Sequence, residues 1–160
     1  MLRYHTPLDA AELRRLGIPE PWTFGLADRV RFGEIDALGH VNNAAYFTWF
    51  ESFRLPYLEA RGVTDYGPDS PRLVLRSTSC TYHAEMLNGM DYVVTGRTRA
   101  YRNTSFTMEF AVWLPSETGE ATHTTSGEAV VVLLNRDAPG RYPIPEASRR
   151  AFIEIDGAID

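Results

Sequence analysis

The chain has 160 residues, 44% of them hydrophobic and 23% charged, ordinary values for one globular domain around a single core. The net charge is −5 and the pI about 5.4, and there is no zinc-finger spacing, basic helix or basic-aromatic platform, so nucleic acid is excluded as a partner. A single cysteine, Cys80, excludes an intrachain disulfide framework.

In chain order, the opening "MLRYHTPLDAAELRRLG" lacks the apolar stretch of a signal peptide. Residues 1–23 read as an N-terminal arm: a short helix closed by Gly17, then an extended "IPEPW" connector. The main domain is expected over 24–145 and a short C-terminal helix and tail over 146–160. Residues 24–32, "FGLADRVRF", predict a strand with Leu26, Val30 and Phe32 on one face and Arg29 and Arg31 on the other. Asp28 is a poor interior residue and weakens the first half of that strand.

Residues 44–61 have the period of a helix, with Tyr46, Phe50, Phe53 and Tyr57 in one stripe that Phe47 and Trp49 widen. Asn42 or Asn43 supplies a cap and Gly62 the left-handed residue after the end. Pro56 predicts a bend near Leu55, because it removes one backbone hydrogen bond. Four strands follow, at 72–83, 91–101, 104–114 and 121–135, separated by turn residues such as Asn88-Gly89. Gly96 and Gly127 within them mark bulges or close backbone approach. The order strand, helix, four strands predicts an α+β fold in which one antiparallel sheet curls around a central aromatic helix. The longest aliphatic run, 129–134, is far short of the ~20 residues of a membrane helix, so the chain is expected to be soluble and cytoplasmic, with no membrane partner.

Motifs for nucleotide folds, P-loops and serine hydrolases are absent. The histidines, His5, His40, His83 and His123, form no HExxH pair. "HAE" at 83–85 has the His-x-Glu of zinc deaminases without their P-C-x-x-C, and no metal is expected. The polar cluster is "EIDALGHVNN", residues 34–43, immediately before the helix. A helix start offers unpaired N–H groups and a positive dipole end to a developing oxyanion. Gly39 admits close backbone approach, and Asp36 would face the same spot as general base or nucleophile. On residue types alone the structural reading leads, since a turn and a helix cap explain every one of these residues.

The spacing F-x-x-x-D-A-L-G-H-V-N-N-A-A-Y-F-x-W-F-E-x-x-R closely resembles the signature of hotdog-fold acyl-CoA thioesterases of the 4-hydroxybenzoyl-CoA thioesterase-like group. That resemblance implies a hotdog fold and hydrolysis of an acyl-CoA thioester to free acid and CoA. It implies Asp36 as the catalytic carboxylate and the Asn43 backbone N–H as the donor polarising the carbonyl. Gly39, His40, Asn42 and Tyr46 would border the substrate, Phe47 and Phe50 would line the acyl slot, and Glu51 is the reserve carboxylate or else a partner of Arg54. It also implies a homodimer or homotetramer with interfacial sites, and no cofactor beyond the coenzyme A of the substrate. Arg97, Arg99, Arg102, Arg136 and Arg141 are available to CoA phosphates. Two other readings are an acyl-carrier-protein thioesterase and a non-catalytic acyl-binding module. A hydratase on the same fold fits less well, because Asp36 and His40 are four apart with no Asn-Pro between them.

Overall fold

The computed structural model describes residues 2–160. In chain order the elements are β1 (Pro7–Asp9), α1 (Ala10–Arg15), β2 (Phe24–Arg29), a 3-10 turn (Phe32–Glu34), α2 (Asn43–Ala60), β3 (Arg72–Tyr82), β4 (Asp91–Tyr101), β5 (Ser105–Leu114), β6 (Thr122–Leu134) and α3 (Glu146–Glu154). The strands form one antiparallel sheet in the order β1-β2-β4-β5-β6-β3. The sheet curves around α2, which is the hotdog arrangement.

The predicted aromatic stripe is what α2 buries. Tyr46, Trp49, Phe50, Phe53 and Tyr57 pack against Val94, Phe106, Met108, Phe110 and Val131 on the inner sheet face. The helix and sheet come unusually close at two glycines. A Cβ on Gly96 would stand 2.5 Å from the Phe53 ring, and one on Gly127 2.5 Å from the Phe50 ring. Both glycines therefore serve close approach; the register breaks of the sheet fall elsewhere, at Leu75/Ser77, Thr98/Ala100 and Val112/Trp113. Helix α2 runs unbroken through Pro56 to Ala60. The Asn42 side chain caps its start by accepting from the Ala44 N–H at 2.9 Å, and Gly62 follows its end at φ 69°.

Two sequence expectations are corrected. Strand β2 ends at Arg29, its first half is its regular part, and Phe32 lies in the 3-10 turn with 83% of its surface exposed. Asp28 is accommodated because it sits near the strand end, where Arg31 reaches it at 2.9 Å. The sheet also has a sixth strand, β1, which comes from the arm and pairs with β2. Asp9 and Glu12 then form a capping box that starts α1. Leu8, Leu13 and Ile18 cover Ala27, Val93, Ala111 and Trp113, so the arm buries part of the outer sheet face.

The C-terminal segment closes one end of the main core. Phe152 of α3 is fully buried beside Phe106. After α3, Ile159 donates to the Arg99 carbonyl at 3.1 Å and accepts from the Tyr101 N–H at 3.0 Å, covering β4 beyond the start of β2. Asp156 lies beneath, bound to Arg61 at 2.7 Å and to the Tyr57 hydroxyl. Burial pushes the Tyr57 phenol well above its ordinary value, so it stays a donor.

Candidate active site

The segment before α2 is held as a closed loop. Ile35 and Val41 bridge as an antiparallel pair, and the Asp36 N–H donates to the His40 carbonyl at 2.8 Å. Gly39 stands at the tip with φ 88°, a conformation that disfavours any side chain. The Asp36 carboxylate turns back into its own loop, where Oδ1 accepts from the Leu38 N–H at 2.8 Å and the His40 N–H at 3.4 Å. Below it, Glu34 accepts from the Trp49 indole at 2.8 Å and from the Asn42 N–H, through its carbonyl, at 2.7 Å. The Val41 N–H reaches the Met86 carbonyl at 2.9 Å. The loop is thus fastened to the helix and to the β3–β4 connection.

Asp36, His40, Val41, Asn43 and Tyr46 line an open cleft of about 320 Å³. Its opposite wall is Tyr82, His83, Ala84 and Glu85. Asp36 is half-buried at this cleft, and among the described residues no protein donor engages its Oδ2. No protein acceptor among them takes the Asn43 N–H either, while the Asn43 carbonyl accepts from the Tyr82 hydroxyl at 3.0 Å. Tyr46 is buried and meets Tyr82 edge to face with ring centroids 5.1 Å apart. Burial raises the Tyr46 phenol, and burial together with Cys80 pushes Tyr82 up to about 12. Both phenols are therefore neutral at physiological pH. Glu85 Oε2 stands 2.7 Å from Nε2 of His40. No three metal-ligating side chains converge among the described residues.

The structure brings Asp36, His40, Asn43 and Tyr46 together. Gly39 and Asn42 shape the wall from behind, one as the turn and the other as the cap. Nothing lies within 4 Å of a Cβ placed on Gly39, so close approach by protein atoms is not the reason for that glycine. Phe50 does not face the cleft: it is fully buried, stacked on Phe110 at 4.6 Å. Phe47 is half-buried beside it. Glu51 is exposed and lines a separate groove of about 520 Å³ between α2 and β3 with Arg54. No ion pair joins those two side chains among the described residues, and burial lowers the Arg54 guanidinium, with the Glu51 charge acting the other way. A hollow of about 570 Å³ is lined by the arm with Glu117 and Gly119 and shares no residue with the cleft. Sequence reasoning missed Tyr82 and Glu85; "HAE" marked the segment but was weighed only as a metal motif.

Residues 30–152 match the thioesterase-like superfamily. The chain belongs to that superfamily. It is a thioester hydrolase by that membership, and its fold agrees. The structure of a thioesterase-superfamily protein from Jannaschia sp. CCS1 is 64% identical to this thioesterase, covering 99% of this chain and 98% of that one with a TM-score of 0.95. YsmA of Bacillus subtilis (strain 168), an uncharacterized protein, is 25% identical over 109 residues, 68% of this thioesterase and 71% of YsmA. A 4-hydroxybenzoyl-CoA thioesterase in complex with 4-hydroxybenzoyl-CoA shares the fold at 13% identity and a TM-score of 0.68, over 80% of this thioesterase and 96% of that chain.

Proposed function

We propose that this thioesterase hydrolyses acyl-CoA thioesters to free acid and CoA. Asp36 is the general base and the Asn43 backbone N–H holds the carbonyl oxygen. One observation carries the reading: a half-buried carboxylate with a free oxygen and an unpartnered helix-start N–H line the same cleft. The carboxylate draws a proton from water as the water oxygen attacks the carbonyl carbon. The helix start stabilises the charge that develops on the carbonyl oxygen, and its geometry is set before substrate arrives. Neither step requires a cofactor beyond the substrate's own coenzyme A. Tyr46 and Tyr82 supply a neutral wall on which an acyl group can rest. The bound 4-hydroxybenzoyl-CoA of the structural neighbour supports CoA as the carrier.

Thiol release from a panel of acyl-CoAs is the test, with wild type and Asp36→Asn compared. Wild-type turnover reduced about 10²–10⁴-fold in the variant, the span of acid-base catalysis, is expected with far-UV circular dichroism unchanged. Undiminished turnover in Asp36→Asn would move the base elsewhere. Saturable binding without turnover by the wild type would leave an acyl-binding domain instead.

A further inference from the structure

We propose that His40 and Glu85 form a second proton-handling pair in the cleft, with His40 donating to the departing thiolate and Glu85 positioning it. The inference rests on the thioester-cleaving reading above and adds a residue from the far wall. Glu85 belongs to the β3–β4 connection and His40 to the loop before α2, and their contact at 2.7 Å spans the cleft that Asp36 lines. A carboxylate oxygen that close to Nε2 is accommodated only when Nε2 carries a proton, because two lone pairs would otherwise oppose each other. That leaves Nδ1 as the nitrogen at which a proton is gained or lost. A carboxylate that holds a histidine in one orientation is the division of labour seen in hydrolytic triads.

Both partners are exposed enough for a substrate to reach, 40% for the His40 side chain and 63% for that of Glu85. They are also held by the backbone. The His40 carbonyl and N–H bond Asp36 on one side, and the Val41 N–H bonds the Met86 carbonyl next to Glu85 on the other. The remaining titratable groups around His40 are Asp36, His83, Tyr46 and Tyr82. The phenols are neutral and His83 is directed to Ser126 at 2.9 Å, which leaves Glu85 as the carboxylate paired with the ring.

Water forms the new C–O bond and gives a proton to Asp36; the C–S bond breaks with its electron pair on sulfur; protonated His40 transfers a proton to that sulfur. Asp36 returns its proton to solvent and His40 recovers one from it. The products are the carboxylic acid and a neutral thiol, and no oxidant or reductant is consumed.

The discriminating measurement varies the leaving group. Wild type, His40→Gln, Glu85→Gln and Glu85→Asp are assayed on one acyl-CoA and on the thiophenyl ester of the same acid, whose thiolate departs without needing a proton. His40→Gln should lower kcat on the CoA thioester about 10²-fold, the lower end of acid-base contributions, and change the thiophenyl ester only a few-fold. Glu85→Gln should show the same selective loss at smaller size, with Glu85→Asp recovering part of it. A merely structural role would depress both esters alike, and that pattern, or no loss at all, overturns the proposal. Should His40→Gln fail to fold, the exposed Glu85 variants decide alone. Asp36→Asn is the control for the underlying reading: it should lose both esters equally. Full activity there would reject Asp36 as base while the pair is judged by its own leaving-group pattern. A wild type that cleaves neither ester rejects both.

Discussion

Asp156 has a side chain with no exposed surface, and the Arg61 side chain it binds is 6% exposed. Such a pair gives little net stability over an apolar replacement, but removing one member strands a buried charge. Asp156→Ala is therefore expected to cost about 3–5 kcal/mol, read as a lower urea midpoint with native circular dichroism below the transition. Nothing in the sequence announced this pair, since 95 positions separate its members and neither lies in a motif. The same holds for His40 and Glu85, which only the loop and the β3–β4 connection bring together. Asp36, Asn42 and Asn43 were legible because a turn, a cap and a helix start are local events set by neighbouring residues. Phe50 was read into the acyl slot because residue type cannot tell a core aromatic from a lining one. Its neighbour Gly127, which decides the matter by letting the ring lie on the sheet, is remote in sequence.

Among the elements, α2 and the four later strands were legible because each buries one face, and burial imposes a period of 3.6 or 2 on the sequence. Strand β1 was not: three residues with one buried leucine carry no period. Phe32 misled for the opposite reason, since it continues an alternation that the chain abandons at the 3-10 turn. The arm that β1 opens is tied down by Asp91, which accepts from the Tyr4 hydroxyl and from the Arg29 Nε, each at 2.6 Å. The Arg29 hydrogen bond, followed by that from Tyr4, holds the Asp91 carboxyl below the ordinary carboxylate range against the opposing effect of burial. A carboxyl more acidic folded than unfolded stabilises the fold above its unfolded value of about 3.9, and that contribution is lost as pH falls through the folded value. Between pH 5 and pH 3, windows taken as roughly one unit either side of that reference, Asp91→Asn should lose less of its urea midpoint than wild type does. Equal losses in the two proteins would show that the arm's tie does not respond to acid.

At the scale of the whole molecule, the sheet ends on one side in β3, whose far edge has no partner strand among the described residues. Residues 75–79 are exposed along it, and Leu55 and Tyr66 are exposed around the neighbouring groove. An open edge of this length is ordinarily covered, and isologous pairing of two copies is the commonest way to cover one. We therefore expect a homodimer or a tetramer built from it, measured by light scattering as a multiple of the 18.1 kDa chain mass. A mass of one chain at the concentrations used for assay would reject that assembly. The Arg61–Asp156 clasp has a consequence for synthesis. Arg61 leaves the ribosome long before Asp156 does, so a nascent chain carries helix α2 with a cation that has no counter-charge yet. The core can collapse around the aromatic stripe early, but the clasp closes only once residue 156 has emerged, so during synthesis Arg61 keeps its charge in water until that point.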